Sequence, residues 1–372
     1  MEKCYKYRIY PNAEQEIVIQ KTFGCCRFAF NRYLGKRIEM YKEDKSTFNY
    51  SDCSADMTTL KKELAWLKEI DSTALQSSLK DLDFAYQNFF RRVKNGEKPG
   101  FPRFKSKRDS RKSYKSKTVG KNIELFEKSI KLPKLGLVEC RVSKQVRGRI
   151  ISATVSQNPS GKYYVSICCT DVEIESFAKT GAVAGIDVGI KDFVITSDDS
   201  KFENHKYLTK SEKKLKREQR RLPRKPKGSQ NRNKSRVKVA LIHEKVANQR
   251  ADFLHKLSTE LVKQYDVICV ESLKIKNMVK NHRLAKSISD VSWGEFLRQL
   301  EYKCEWYGKN LVKIPQFYAS SQTCHVCGYK NIAVKDLKVR SWICPECNTS
   351  HDRDINAAKN ILNKGMEIFA AV

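Results

Sequence analysis

Val183-Ala184-Gly185-Ile186-Asp187-Val188 reads as a buried strand ending near an acid, and Asp192 to Thr196 reads as a second strand after a tight turn. Val267-Ile268-Cys269-Val270-Glu271 repeats the pattern, a short apolar run closed by a carboxylate. Helical periodicity lies between them, and a helix over 293–309 leads into a strand over 311–314. Strands separated by helices build an α/β sheet, and the ends of its neighbouring strands converge on one edge. A third acid, Asp354, opens a helix expected over 354–362. Taken singly, Asp187 could cap a turn, Glu271 could pair with a cation and Asp354 could be a helix N-cap. Brought together, three carboxylates repel one another unless hard cations lie between them. Mg2+ is held in this way, by a few carboxylates, waters and substrate phosphate. Two such ions about 4 Å apart suit phosphodiester cleavage. The sequence has no phosphate-binding glycine loop and no His-Glu-x-x-His.

Cys324-x2-Cys327 and Cys344-x2-Cys347, separated by sixteen residues, have the four-thiolate zinc spacing. Each pair sets two thiolates on one turn, and four thiolates close the coordination shell, so the expected zinc is structural and single. It would let the short segment 320–350 fold. His325 is not needed as a ligand and is expected to be an exposed side chain. The other nine of the 13 cysteines are scattered, as small buried apolar residues would be.

The charge narrows the partners. The 372 residues carry 73 Lys and Arg against 42 Asp and Glu, a net +31, which calls for a polyanion. No apolar run approaches a membrane span and no signal-peptide core opens the chain, so a cytoplasmic nucleic-acid protein is expected. Two segments concentrate the charge. Arg91 to Lys121 holds 13 cations and two acids, and its Phe101, Arg103, Phe104 and Lys105 interleave rings for stacking with cations for phosphates. Lys210 to Lys238 holds 14 cations and two acids, among them Lys213, Lys214, Arg217, Arg220, Arg221, Arg224, Lys225 and Lys227. Pro223, Pro226 and Gly228 should divide it into two helical pieces. Upstream, Cys4 to Tyr10 reads as a strand and 13–93 as helical. Leu75, Leu79, Leu82, Tyr86, Phe89, Phe90 and Val93 make one apolar helix stripe, expected to be core. Arg149 to Val155 and Tyr163 to Cys169 read as a hairpin about Asn158-Pro159-Ser160-Gly161. These strands are expected to join the first one in a barrel that the helical region interrupts.

Several motifs carry a resemblance. Gly185-Ile186-Asp187-Val188-Gly189-Ile190, Val270-Glu271-Ser272-Leu273, the two cysteine pairs and His351-Asp352-Arg353-Asp354-x-Asn356-Ala357-Ala358-x-Asn360-Ile361 resemble the TnpB (OrfB) proteins of bacterial insertion sequences. Tyr7-Arg8-Ile9-Tyr10-Pro11, the segment 100–105 and Ser292-Trp293-Gly294-x-Phe296 fit as well, so the likeness spans nearly the whole chain. It implies an RNA-guided DNA endonuclease related to the type V CRISPR nucleases. The implied fold is multidomain α/β plus β. A RuvC-like nuclease domain of RNase H fold would occupy 179–319 and 351–372, with a zinc-binding target-nucleic-acid insertion over 320–350. A wedge-like β-barrel over 1–12 and 115–178 would be interrupted by a helical recognition domain over 13–114. Asp187, Glu271 and Asp354 match the family's three Mg2+-binding carboxylates, and Cys324, Cys327, Cys344 and Cys347 match its zinc ligands. The implied partners are a guide RNA from the transposon's right end and a double-stranded target DNA beside a short transposon-adjacent motif. A nuclease-dead RNA-guided repressor and an RNA-independent resolvase-like nuclease are the alternatives. The first should lack an acid of the triad, and the second would not need the basic N-terminal half. The family's glycine after the last cysteine pair is Asn348 here, a residue that tolerates the left-handed backbone.

Overall fold

The structure is a computed structural model that describes residues 1–109, 112–316, 318–336 and 338–371. Arg111, one of the cations of the first basic segment, thus lies outside the described residues. The chain divides into two compact units, Met1–Glu173 and Ile174–Val372.

The first unit begins with β1 (Lys3–Tyr10), in which Tyr5, Tyr7 and Ile9 alternate into the core. Asn12 stops the strand and starts α1 (Ala13–Asp44) through a reciprocal capping box with Gln15. Asn49 and Asp52 do the same for α2 (Tyr50–Glu63), and Asp71 caps α3 (Ser72–Lys94). Then follow β2 (Lys112–Lys117), β3 (Glu124–Leu125), β4 (Ser129–Leu132), β5 (Gly136–Arg141), β6 (Arg149–Gln157) and β7 (Tyr163–Thr170). They form one antiparallel sheet in the order β2-β6-β7-β1-β5-β4-β3. The first strand therefore lies in the middle of the sheet, and the helices intervene in sequence between it and β2.

The helical core holds Tyr33, Leu34, Leu67, Leu75, Leu79 and Leu82. The stripe expected on α3 is core only in part, since Phe90 is 62% and Val93 51% exposed. The periodicity is right, but α3 runs past the helices that bury its first half. Its exposed end makes an aromatic cluster, with Phe101 edge-on to Tyr86 and Phe89 at 5.7 and 5.3 Å.

The second unit contains β8 (Val183–Val188), β9 (Asp192–Thr196), β10 (Lys201–Glu203), α4 (Tyr207–Arg221) and α5 (Gln230–Gln264). Next come β11 (Val267–Glu271), α6 (Ile275–Met278), α7 (Ala285–Val291), α8 (Trp293–Tyr307) and β12 (Asn310–Ile314). A small hairpin of β13 (Ser341–Ile343) and β14 (Ser350–Asp352) leads into α9 (Arg353–Ala370). The main sheet has the order β10-β9-β8-β11-β12, antiparallel from β10 to β8 and parallel from β8 to β12.

Strand alternation sorts the residues of this sheet. Ala184, Ile186, Ile268 and Val270 pack with Leu254, Leu257 and Leu261 of α5 and Phe296 and Leu300 of α8. The intervening positions, Gly185, Asp187, Val267, Cys269 and Glu271, belong to the other face, where Val267 and Cys269 pack with Ile361 of α9. Gly185 and Gly365 let α9 lie flush on that face. A Cβ on Gly185 would stand 2.1 Å from the Ala358 carbonyl oxygen, and one on Gly365 would stand 2.3 Å from Cys269 Sγ. Helix α9 continues well beyond the expected residue 362, because Gly365 serves this close approach and does not end the helix. Among the described residues no helix is long and apolar enough to cross a membrane.

Candidate functional site

The alternation that puts Cys269 under α9 also puts Asp187 and Glu271 on that face. Val270 pairs with Ile186 across the parallel ladder, so the two acids follow at adjacent positions of neighbouring strands. Asp354 comes from the first turn of α9. It lies four residues before Ala358 and eleven before Gly365, on the helix face turned to the sheet. Asp352, not Asp354, is the N-cap of α9, accepting the backbone N–H groups of Asp354 and Ile355 at 3.0 and 3.2 Å. Lys201 holds the other oxygen of Asp352 at 2.8 Å. Asp354 is thereby free of capping and sits where the helix dipole favours an anion. Arg340 Nη1 reaches Asp354 Oδ2 at 3.4 Å.

Enclosure of its carboxyl group, then the charges of Asp354 and Glu271, push Asp187 up to about 7. Burial also raises Glu271. The three acids thus interact electrostatically, although among the described residues only the four cysteines bring three or more possible ligand atoms within 4.8 Å of one another. A set of hard oxygen donors that share unfavourable negative charge fits divalent magnesium.

A pH dependence follows. The Asp187 carboxyl titrates near 3.8 when unperturbed and near 7 in the fold, so the folded state binds more protons between those values. Its contribution to stability is complete below about pH 4 and is lost as pH rises through about 7. In magnesium-free buffer that leaves zinc bound, melting temperature should fall from pH 5 to pH 8, and Asp187→Asn should flatten that decline. Thermal melts across the pH series check this. An equally steep decline in the variant would remove Asp187 as the cause.

The cysteine centre is built from two similar turns. Gly328 N–H donates to the Cys324 carbonyl at 3.0 Å, and Asn348 N–H donates to the Cys344 carbonyl at 2.9 Å. Both turn residues are left-handed, Gly328 at φ 80° and Asn348 at φ 55°, so Asn348 does fill the glycine role. Sγ atoms lie 3.6 Å apart in Cys324 and Cys347 and 3.5 Å apart in Cys327 and Cys344. A zinc tetrahedron with 2.3 Å bonds needs about 3.8 Å. The Thr349 hydroxyl and backbone beside Cys347 lower its thiol, which favours the thiolate that zinc binds. The four residues therefore fit zinc.

His325 differs from its expected exposure. It is half-buried, and its backbone N–H and Nδ1 both meet Asn356 Oδ1 at 3.0 Å. The amide of Asn356 donates to the Thr323 carbonyl at 2.7 Å, and that of Asn360 donates to the Ser320 carbonyl at 2.8 Å. These asparagines, four apart on one face of α9, clamp the cysteine turn onto the helix that carries Asp354. They stand within the motif quoted above, and their spacing was the available signal. His351 opens the same motif, but no spacing announced its contact, with Nε2 3.1 Å from Cys324 Sγ; burial first, then the charges of His325 and Lys359, lower its pKa.

The basic segments are less uniform than their composition. Phe101, Arg103 and Phe104 are exposed. Lys105 Nζ lies over the Phe30 ring at 3.9 Å, and its backbone is gripped at both ends by the Asn31 amide. On and after α4, Lys213, Lys214, Arg217, Arg220, Arg221, Arg224 and Lys227 are exposed, and of these Arg217 and Arg221 also pair with the buried Glu218 at 3.4 and 3.3 Å. Lys225 is half-buried and donates to the Asn231 carbonyl at 3.4 Å.

Three family models match the chain. One described as "Probable transposase" covers residues 166–282, and one described as "Cas12f1-like, TNB domain" covers 293–361. A third, described as "Helix-turn-helix domain", covers 1–46, which here form β1 and the single long α1. A Streptomyces pristinaespiralis protein named "Putative RNA-guided DNA endonuclease" is 38% identical, over 100% of this chain and 91% of its own length. The similarly named InsQ of Escherichia coli K12 is 35% identical, over 99% and 93%. Among solved structures, a Cas12f1 chain from a complex with sgRNA and target DNA aligns over 98% of this chain and 99% of its own, with a TM-score of 0.53 and 15% identity. That likeness is one of fold.

Proposed function

The chain belongs to the TnpB (OrfB) family, and from that premise we infer that it is a transposon-encoded RNA-guided DNA endonuclease. One observation carries the catalytic part of this reading. Asp187 and Glu271 share one face of adjacent parallel strands, and α9 brings Asp354 close enough for its charge to raise Asp187. The retention of all three acids, with Asp354 and Glu271 near enough to raise Asp187, supports an active nuclease over a nuclease-dead repressor.

We assign residues 179–319 and 351–372 to a RuvC-like nuclease domain of RNase H fold, with 320–350 as its zinc-binding insertion. The mixed sheet order β10-β9-β8-β11-β12 supports this. Residues 1–12 and 115–178 would form the wedge-like barrel and 13–114 the recognition domain, a reading supported by the position of α1 to α3 between β1 and β2 in the chain, although β2 begins three residues earlier, at Lys112. Asp187, Glu271 and Asp354 would hold Mg2+. Bound there, the metal supplies an activated water and stabilises the leaving oxygen. Asp187 gives up its proton when the site fills, and Arg340 offers a cation beside Asp354 where phosphate charge arrives. The guide would come from the transposon's right end, and the target would be double-stranded DNA in the same cytoplasm.

The basic segments would line the nucleic-acid paths, meeting mostly phosphates, because a guide–target heteroduplex is held by its backbone. Replacing Arg103 with Lys105, or several of Lys213, Lys214, Arg220, Arg224 and Lys227, should weaken binding. It should also flatten the log affinity against log salt plot by about 0.7–0.9 for each phosphate that is no longer neutralised. Replacing Phe101 or Phe104 should weaken binding with little change in slope. Titrations with guide RNA and with target DNA at several salt concentrations separate these outcomes. Unchanged affinity and slope in the cation variants would make both segments merely solvated surface.

A further inference from the structure

His351 stands between the cysteine centre and the helix that carries Asp354. Its side chain is buried, its ring packs against Trp342 with centroids 4.6 Å apart, and its Nε2 is 3.1 Å from Cys324 Sγ. Its backbone pairs with Trp342 in the β13–β14 ladder. The residue after it, Asp352, caps α9 and holds the backbone N–H of Asp354. A cysteine that ligates zinc has lost its proton, so an imidazole nitrogen at 3.1 Å is attracted to it only if that nitrogen carries the hydrogen. Four thiolates on one Zn2+ leave a net charge of −2, which an N–H donor disperses. Partners of this kind orient metal ligands and tune their donor strength.

We propose that His351 is a positioning residue that donates its Nε2–H to the zinc-bound Cys324 thiolate, fixing β14, the Asp352 cap and, through them, the Asp354 carboxylate. The inference rests on the reading of Asp354 as a catalytic carboxylate, but its first readout does not. His351→Phe keeps a ring without the donor, whereas His351→Gln restores an N–H near the Nε2 position. With Co2+ in place of zinc, the thiolate-to-cobalt charge-transfer band should shift in His351→Phe and return toward wild type in His351→Gln. Zinc should pass to a chelator about 10- to 100-fold faster from His351→Phe, and guided DNA cleavage should slow within the same range. His351→Gln should recover most of both.

A wild-type cobalt band and zinc-loss rate in His351→Phe would overturn the hydrogen bond. A His351→Gln protein that matches His351→Phe throughout would overturn the donor role and leave only shape. Altered cobalt and zinc behaviour with undiminished cleavage would overturn the link to Asp354. Should His351→Phe fail to hold metal, His351→Gln alone decides: wild-type band and cleavage support the proposal, and loss of both overturns it. Failure of the carboxylate reading is distinguishable, as full cleavage by Asp354→Ala, and leaves the cobalt result untouched.

Discussion

Asp187→Ala, Glu271→Ala and Asp354→Ala should each slow guided DNA cleavage by on the order of a thousandfold or more, with guide RNA binding unchanged. The expected loss is large because each carboxylate would, on the proposed reading, serve metal binding directly. Asp352 is two residues from Asp354 but is committed to the α9 cap and to Lys201. RNA affinity is proposed to come from cations elsewhere on the chain, so the two properties should separate. Single-turnover cleavage with saturating guide, measured beside an RNA filter-binding curve, tests this. A variant that cuts at near the wild-type rate in Mg2+ would remove its residue from the site. A variant that loses RNA binding as well would show a folding defect instead.

Zinc removal should have the second large effect. Freshly purified protein should contain about one zinc per chain, since four thiolates close one tetrahedral site. Structural zinc binding is worth roughly 10–16 kcal/mol in small domains, more than a segment of this size can replace by packing. Among the described residues its own apolar core is little more than Val334 and Trp342, with Val339 and the ligand cysteines packed against them. Cys344→Ser should therefore unfold the segment about 320–350 and fray the first turn of α9, because Asn356 and Asn360 lose the carbonyls they hold. Limited proteolysis should reveal new cuts there, and DNA cleavage should fall although all three carboxylates are intact. Elemental analysis that finds no zinc in the wild-type protein would refute the centre.

The sequence made some features legible and hid others for physical reasons. β8, β9 and β11 were readable because short apolar runs end at acids or turns. The cysteine centre was readable because its spacing has few other uses. The carboxylates could be nominated one by one, but their shared face depends on strand register, which no local pattern announces. The expected helix over 354–362 is shorter than α9, in which Gly365 weakens the helix locally but lets it touch Cys269 through its missing side chain. Phe90 and Val93 fitted the apolar period of α3, but periodicity does not say where the partner helices stop. Lys105 looked like a free cation, and its contact with Phe30 arises between residues distant in the chain.

The central place of β1 in its sheet also sets an order of events during synthesis. Its neighbours, β5 and β7, are made after the three helices, with β7 complete only at Thr170. At 5–20 residues per second, β1 waits roughly 8–30 s for that partner while α1, α2 and α3 can already fold. One edge can pair once β5 is complete at Arg141, but the other stays unpaired until β7 is made, which prolongs the risk of wrong strand pairing. The second unit has the same property with a useful result. Asp354 is translated long after Asp187 and Glu271, together with the helix that packs over them. On the proposed reading of these carboxylates and basic segments, a nascent chain would carry its RNA-binding cations before its cutting centre is complete, so capture of RNA could precede the ability to break DNA.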